Sequence, residues 1–279
     1  MRSSFAPMVR DCRKARPIPY PAQPPSIVKL LTVARDLRRR KARERVDRFV
    51  AEGIRAVEEL LKSPIGVEGA LIAPRLADTP RGRALRAAIG DRKIVVQEVT
   101  DDEFASAADT ENPQGILAIA VIPDRTLAAV ASHGPARILV LDAVQDPGNV
   151  GTLVRTAAAL GATATLALPG TVDLWNAKVV RSAMGAHFHH SCLTGSWDDL
   201  RMLGAETALT VWGADAAGEP LDGLEPPERL ALVVGNEGGG LSSESRSRAD
   251  RLIALPVTSA VESLNVAVAA GIILYELRR

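Results

Sequence analysis

The second half of the chain alternates two patterns of apolar residues. Short apolar runs rich in β-branched side chains predict strands, and stretches in which apolar residues recur every three or four positions predict helices. The strands are predicted at residues 137–141, 164–168, 208–212, 230–234 and 251–255. Because strands that alternate with helices pair in the same direction, residues 136–279 are expected to form an α/β domain with a mostly parallel sheet.

The first half repeats this alternation on a smaller scale. Strand-like runs lie at 49–51, 69–73, 94–99 and 116–122, and helical stretches lie at 54–61, 82–89 and 101–108. A smaller α/β domain is therefore predicted over residues 26–123, with Ser26 as the cap of its first helix and a linker at 124–135. Residues 1–25 contain six prolines and no apolar periodicity, which predicts a disordered basic tail.

The formal net charge of +1 hides an asymmetry along the 279 residues. Residues 1–48 carry 14 of the 34 Lys and Arg side chains but 4 of the 33 Asp and Glu side chains. This end of the chain would attract a polyanion such as RNA, and a solvated basic helix face is the alternative. The candidate RNA contacts are the cations of its densest segment, which are Arg38, Arg39, Arg40, Lys41 and Arg43.

Cysteine usage and the length of the apolar runs predict an intracellular protein. Cys12 and Cys192 are far apart, which predicts no disulfide framework and a reducing compartment. No apolar stretch follows the first arginines as it would in a secretory signal. The longest apolar run, residues 266–275, is shorter than the roughly 20 residues that cross a bilayer. We expect a cytoplasmic protein without membrane contact.

Three histidines, His187, His189 and His190, lie close together in the sequence. The cysteines are not in CxxC spacing and no HExxH segment is present, so the indication of a metal site is weak. We expect no metal cofactor, and histidines that lie on the surface or face RNA are the alternative.

Three segments of the second half place Gly, Asn or Pro between an apolar run and a helical pattern. They read LDAVQDPGNVGTLVRTAAALGA (141–162), LVVGNEGGGLS (232–242) and IALPVTSAVESLNVAVAAG (253–271). Strand–loop–helix segments of this kind present backbone N–H groups and a few polar side chains to a ligand. A GxxxxGK[ST] P-loop is absent, and Ser243 leaves GxGxxG incomplete, so neither nucleotide fingerprint applies.

In this order, the three segments resemble the motifs of the SpoU/TrmH branch of the SPOUT methyltransferases. That family methylates the ribose 2′-hydroxyl of RNA with S-adenosylmethionine. The resemblance implies a deep trefoil knot in the C-terminal domain, which periodicity alone does not predict. FVAEGIRAVEELL (49–61) and TENPQGILAIAV (110–121) are similar to the N-terminal substrate-binding domain of the family, which looks like a ribosomal protein that grips kinked RNA. Asn112 stands where the family usually has Thr.

The resemblance also implies catalytic residues, with Arg155 as the central one. The set is Asn149, Arg155, Glu237, Ser263 and Asn265. Because a guanidinium keeps its proton below about pH 12, we expect Arg155 to clamp a phosphate and stabilise alkoxide charge rather than act as a base. Alternatives for single residues are a surface arginine, a solvated loop carboxylate and, for Ser263 and Asn265, a helix cap.

The same resemblance implies the cofactor-binding residues Gly235, Asn236, Leu255, Pro256 and Leu264. Ser259 stands where the family commonly has Gly, and a side chain there would reshape the cofactor loop. The segment KVVRSAMG (178–185) also resembles the family, and its Arg181 is expected to face RNA, with a basic amphipathic helix as the alternative.

A homodimer is implied as well, with the cofactor of one subunit close to Asn149 and Arg155 of the other. Residues 266–277 are apolar on nearly all sides, which indicates burial beyond one sheet face. The expected function is S-adenosylmethionine-dependent 2′-O-methylation of large-subunit (23S) ribosomal RNA. A transfer RNA target and a non-catalytic RNA-binding ribosome-assembly factor are the alternatives. A self-resistance methyltransferase against a ribosome-targeting antibiotic is a further alternative.

Overall fold

A computed structural model describes residues 30–131, 133–258 and 263–278. The proline-rich segment 1–25, the predicted helix cap Ser26 and the cofactor-loop residue Ser259 lie outside the described residues. Among the described residues, no helix has both the length and the apolar character that a membrane span requires.

Residues 30–121 contribute a four-stranded sheet with helices. Its elements are α1 (Leu30–Asp36), α2 (Arg40–Val46), β1 (Arg48–Glu52), α3 (Ile54–Lys62), β2 (Val67–Ile72), α4 (Pro80–Asp91), β3 (Val96–Glu98), α5 (Asp101–Ala107) and β4 (Ile116–Val121). The strand order is β1-β4-β2-β3, in which β4 is antiparallel to β1 and β2 while β3 is parallel to β2. Buried residues occupy five of the six positions of β4, because this central strand is covered on both faces.

Local signals in the sequence explain where these helices begin. Thr100 accepts a hydrogen bond from the Glu103 backbone N–H, and the Glu103 carboxylate accepts one from the Thr100 backbone N–H. This capping box starts α5. Thr79 caps α4, and Pro80 occupies the first helical position, where a missing N–H costs no hydrogen bond.

The rest of the chain forms a six-stranded sheet of parallel strands in the order β10-β8-β9-β5-β6-β7. The elements are α6 (Leu127–Ala131), β5 (Ala136–Leu141), α7 (Pro147–Ala159), β6 (Ala164–Ala167), α8 (Ala177–Ser182), β7 (Ser191–Thr194), α9 (Trp197–Thr207), β8 (Thr210–Pro220), β9 (Arg229–Val234), α10 (Ser243–Arg248), β10 (Arg251–Ala254) and α11 (Val266–Glu276). The predicted α/β class with a parallel sheet is confirmed. The strand β7 was not predicted, since it is a short edge strand with two apolar residues. Leu127 and Ala131 of α6, in the predicted linker, are buried with the core of this sheet.

The two sheets are joined by a buried contact between β1 and the region around α8. The ring of Phe49 lies 4.6 Å from the ring of Trp175 and 6.0 Å from that of Phe188, centroid to centroid. Nearby, Arg43 Nε donates to Asp173 Oδ2 at 2.7 Å, and the Arg43 side chain is 4% exposed. The prediction that Arg43 contacts RNA is corrected here, because a buried guanidinium with a carboxylate partner is a packing element.

Candidate active site

The loops that follow β5, β9 and β10 meet at the carboxyl edge of the parallel sheet. β5 and β9 are neighbours, with Leu141 opposite Val234, so the segments that begin at Asp142 and Gly235 leave the sheet side by side. The carboxyl edge is where open α/β sheets bind ligands. The three sequence motifs thus converge at one place, although they are up to 130 residues apart in the sequence.

Asn149, Glu237 and Asn265 are connected by hydrogen bonds across the three loops. Asn149 Nδ2 donates to Glu237 Oε1 at 3.0 Å, and Asn265 Nδ2 donates to Asn149 Oδ1 at 3.0 Å. Asn265 Oδ1 in turn accepts from the Ala267 backbone N–H at 2.9 Å and caps α11. The Asn265 side chain therefore caps a helix and holds Asn149 at the same time.

The Glu237 carboxylate also accepts hydrogen bonds from the backbone N–H groups of Gln145 and Asp146, at 3.2 and 3.1 Å. Partial burial by itself raises the pKa of Glu237, but the hydrogen bonds from Asn149 and from backbone N–H groups outweigh it and leave this pKa below the ordinary value. Glu237 is ionised at neutral pH, and its negative charge orders the loop that leads into α7.

The glycine-rich loop between β9 and α10 has a close backbone approach. The backbone groups of Asn236 and Gly240 exchange two hydrogen bonds of 2.9 Å, and a Cβ atom on Gly235 would lie 2.1 Å from the carbonyl carbon of Gly240. Asn236 Oδ1 accepts from Gly238 and Gly239, while its Nδ2 donates to the Ala143 carbonyl. Glycine is thus required at 235, and Asn236 ties this loop to the loop after β5.

A cavity of about 530 Å³ opens beside these loops. Seven of the predicted site residues line it: Gly235, Asn236, Glu237, Leu255, Ser263, Leu264 and Asn265. Pro256 is exposed and is not among the lining residues, and Asn149 lies behind the lining, bonded to Glu237 and Asn265. The deeper wall is apolar, with Ile253 and Ile273 buried.

Two charged lining residues, Asp215 and Arg246, were not predicted. They form an ion pair in the cavity lining, although Asp215 lies in β8 and Arg246 in α10. The one available sequence signal was an acidic residue just beyond a predicted strand end, and that signal is common to many loops.

Comparisons with known proteins agree with this geometry. Residues 136–275 match the family model of the SpoU rRNA Methylase family, and residues 29–118 match that of the MRM3-like substrate binding domain. The chain belongs to the SpoU rRNA methylase family. The family resemblance inferred from the three motifs is thereby confirmed.

Relatives of this SpoU chain include two ribosomal RNA methyltransferases. It is 36% identical over 249 residues to 23S rRNA (guanosine(2553)-2′-O)-methyltransferase RlmP of Bacillus subtilis. The aligned region covers 87% of this chain and 93% of that protein. It is 33% identical over 236 residues to 23S rRNA (guanosine-2′-O-)-methyltransferase RlmB of Salmonella typhi, covering 81% and 96%. The structure of an AdoMet-bound rRNA methyltransferase from Sinorhizobium meliloti superposes with a TM-score of 0.77 at 26% identity, covering 91% and 95%.

Arg155 is not part of the hydrogen-bonded cluster of this SpoU chain. It lies on the exposed face of α7 with Thr152, and no hydrogen bond or ion pair joins it to another described residue. Six residues separate it from Asn149, which corresponds to about 9 Å along a helix axis. One chain thus assembles Asn149, Glu237 and Asn265 but leaves Arg155 apart from them.

The remaining predicted RNA contacts lie on two surfaces. Arg38, Arg39, Arg40 and Lys41 are exposed around the start of α2, where Arg39 pairs with Asp36 and Arg40 with Glu44. Arg181 lies in a separate groove of about 260 Å³ between the two sheets, 3.3 Å from Asp109. Asn112 lines the same groove.

The histidine cluster of this SpoU chain is mostly buried, which corrects the alternative of surface histidines. His187 is 1% exposed, its ring meets Trp175 edge-on at 4.6 Å, and neither of its ring nitrogens has a hydrogen-bond partner in the described structure. His190 shares a 2.9 Å hydrogen bond with Thr165 Oγ1, and His189 is exposed. Burial lowers the pKa of His187 to about 3, with a contribution from His190, and that of His190 to about 4, with a contribution from Arg125. Within the described residues, no three His, Cys, Asp or Glu side chains are grouped as metal ligands.

Proposed function

We propose that this protein is an S-adenosylmethionine-dependent enzyme that methylates a ribose 2′-hydroxyl of 23S ribosomal RNA. Membership of the SpoU family and the named activities of RlmP and RlmB support the reaction and the RNA substrate. The AdoMet-bound Sinorhizobium meliloti structure supports the cofactor. The observation that carries the proposal is the bonded set Asn149, Glu237 and Asn265 beside a cavity built by all three motif loops.

The cavity has the size and the walls that this cofactor requires. Its volume of about 530 Å³ falls within the roughly 300–1,000 Å³ of pockets that hold compact organic ligands. Leu255 and Leu264 offer apolar contacts for the adenine, and Gly235 lets the backbone approach closely. Bound there, S-adenosylmethionine supplies the methyl group on a sulfonium, so the protein provides position and electrostatics.

Asn149, Glu237 and Asn265 act as positioning residues in this proposal. Glu237 is a poor proton acceptor, because its pKa is lowered and its carboxylate already accepts four hydrogen bonds. Its charge fixes the loop from Gln145 to Asn149, and Asn265 fixes the other side of the Asn149 amide. Ser263, which lines the cavity between these groups, completes the polar side of the site.

Arg155 reaches the site from the partner subunit of a homodimer. Support for this assembly comes from α11, where Val268, Ile272 and Tyr275 are 51%, 42% and 45% exposed. These three residues lie on one face of the helix at i, i+4 and i+7 spacing. Gly271 of α11 lies close to Thr156 of α7, the residue next to Arg155, so a partner that covers this face of α11 comes near Arg155. There the guanidinium clamps an RNA phosphate and stabilises developing alkoxide charge.

The proposal extends to topology and location. The C-terminal segment leaves the sheet at the edge strand β10 and returns to pack α11 against α7, which follows the more central strand β5. This return supports the trefoil knot implied by the family motifs.

Residues 26–123 act as the RNA-binding domain, with contacts at Arg38, Arg39, Arg40, Lys41 and Arg181, and residues 136–279 act as the methyltransferase domain. The proposed location is the cytoplasm, and a ribosomal substrate supports it.

Methyl transfer to defined RNA tests this function directly. Purified protein, labelled S-adenosylmethionine and 23S ribosomal RNA from a strain that lacks the gene should give one alkali-resistant linkage, because a 2′-O-methyl group removes the nucleophile of backbone cleavage. The isosteric variant Glu237→Gln should lose most of this activity, since it replaces the charged acceptor of four hydrogen bonds. Labelling of transfer RNA instead, or no labelling of any RNA, would contradict the proposal.

A further inference from the structure

The lining of the cavity includes a charged pair that the reaction described above does not use. Asp215 and Arg246 both line the cavity and are joined by an ion pair between Asp215 Oδ2 and Arg246 Nη1. In the sheet, β8 lies on one side of β9 and β5 lies on the other. The pair is therefore separated from the Asn149 cluster by the glycine-rich loop.

The two members of the pair differ in how much they are exposed. The Asp215 side chain is 5% exposed, and its Oδ1 already accepts from the Ala217 backbone N–H at 2.9 Å. Its Oδ2 is buried, has no hydrogen-bond partner among the described residues, and faces Arg246 in the ion pair. The Arg246 side chain is 43% exposed, so its guanidinium can meet a ligand while one edge stays bonded to Asp215.

The remaining contacts of Arg246 fix the direction of its guanidinium. Arg246 Nε donates to the Leu241 carbonyl at 3.2 Å, and Nη1 faces Asp215. Nη2 lies over Gly240, 3.6 Å from the place where a Cβ would stand. A planar group held at two of its nitrogens presents its third in a fixed position. That third nitrogen faces the glycine-rich edge of the cavity.

The positive charge of Arg246 matches the methionine part of the proposed cofactor. Among the charged residues that line the cavity, Glu237 is bonded within the loops, and Arg246 is the cation. The adenosine part of S-adenosylmethionine carries no negative charge, whereas its methionine part ends in a carboxylate. Arginine binds carboxylates through strong charge-assisted hydrogen bonds.

We propose that Arg246 binds the carboxylate of the methionine part of S-adenosylmethionine and that Asp215 is a positioning residue that holds its guanidinium. The inference rests on the proposed cofactor. The methionine end of the cofactor then lies toward β8, and the apolar wall around Leu255 receives the adenine.

Calorimetry on the full chain with two adenosine compounds distinguishes binding of the amino-acid end of the cofactor from binding of its adenosine end. S-adenosylhomocysteine has the amino-acid end, and 5′-methylthioadenosine lacks it. We expect Arg246→Gln to raise the Kd for S-adenosylhomocysteine by at least about tenfold, in line with a hydrogen bond to a charged group. The Kd for 5′-methylthioadenosine should stay within about twofold of wild type, which also shows that the cavity is folded.

A double-variant cycle tests the positioning role of Asp215. Asp215→Asn keeps the shape of the side chain and should weaken S-adenosylhomocysteine binding but not 5′-methylthioadenosine binding. Because Asp215 acts through Arg246, Asp215→Asn combined with Arg246→Gln should bind S-adenosylhomocysteine no more weakly than Arg246→Gln alone. Additive losses would show that Asp215 acts independently.

Arg248→Gln is the matched control, since Arg248 lies on the same helix but pairs with Glu244, outside the cavity. Its affinities should equal those of the wild type. An unchanged Kd for S-adenosylhomocysteine in Arg246→Gln, or an equal loss for both compounds, would overturn the assignment. Failure of the wild-type protein to bind S-adenosylhomocysteine would instead contradict the proposed cofactor itself.

Discussion

The loops around Glu237 and the exposed face of α7 carry members of one predicted catalytic set, but their surroundings differ. Glu237, Asn149 and Asn265 are connected by hydrogen bonds within the chain, and Asn236 adds further ones. Arg155 has no such partner among the described residues and lies about 9 Å further along the helix. A single chain therefore connects Asn149, Glu237 and Asn265 and leaves Arg155 apart from them. In the proposed homodimer, the partner subunit completes the RNA side of the site.

The largest effect is expected at Arg155. Arg155→Ala should lower methyl transfer by about 10²–10³-fold, the usual cost of removing a group that stabilises developing charge. Binding of S-adenosylmethionine, measured by calorimetry, should be unchanged because the cavity does not contain Arg155. Thr152→Ala, one turn away on the same exposed face, is the control. Activity of Arg155→Ala within a few-fold of that control would refute the catalytic role.

A second prediction concerns the apolar face of α11. Ile272→Asp places a charge on that face and should convert the protein to a monomer, because burying an unpaired carboxylate in an interface is unfavourable. Light scattering after size-exclusion chromatography measures the mass, and activity should fall together with dimer content. Val95→Asp is the matched control, since Val95 is 56% exposed on the N-terminal domain. A monomeric wild type, or a dimeric Ile272→Asp protein, would disprove this interface.

The sequence predicts the motif loops better than it predicts the ion pairs. The motif loops were identified because strand ends and their glycines are local signals, and Gly235 reports a backbone approach that any side chain would block. Arg43 was assigned to the RNA surface because its partner Asp173, 130 residues away, cannot be recognised from a basic run. The sequence does not predict the pair of Asp215 and Arg246 for the same reason, since the ion pair forms only when β8 and α10 fold together.

A third prediction concerns the exposed cations near α2. Deleting residues 1–48 would also remove Arg43 and the buried part of α1, so neutralising exposed side chains is the cleaner change. The combined variant replaces four residues with Gln: Arg38, Arg39, Arg40 and Lys41. We expect weaker RNA binding, with a log–log salt slope that is less steep by about 0.7–0.9 for each RNA phosphate that the variant no longer neutralises.

The control for this variant removes the same charge elsewhere. Four exposed cations in and just after α4 are replaced with Gln: Arg83, Arg86, Arg92 and Lys93. Filter binding at several salt concentrations compares the two variants. Equal salt slopes would mean that net charge, rather than the surface near α2, determines RNA affinity.

The smallest effect concerns stability in acid. His187 has a pKa lowered to about 3 by burial, whereas the unfolded chain binds this proton near pH 6.5. Below pH 6.5 the unfolded state therefore takes up a proton that the folded state excludes. Between pH 7 and pH 5, this side chain should lower the free energy of unfolding by about 2 kcal/mol. The loss is absent above pH 6.5.

His187→Phe keeps an aromatic ring against Trp175 and removes the titrating group. Urea unfolding at pH 7 and pH 5 should show a smaller decrease in stability for this variant than for the wild type, and part of the decrease remains because His190 titrates in the same direction. His189→Gln, at an exposed position, should behave like the wild type. A decrease of the same size in His187→Phe would show that His187 does not cause the acid sensitivity.

Subunit complementation tests most directly whether one site is built from two chains. Arg155→Ala leaves the cofactor cavity intact, and Leu264→Arg fills that cavity but leaves Arg155 intact. Each homodimer should be inactive. Heterodimers, purified by a different tag on each chain, contain one composite site with both functional parts and should recover about half of the activity of a wild-type dimer. No recovery in purified heterodimers would contradict the account, because each chain would then build its site alone.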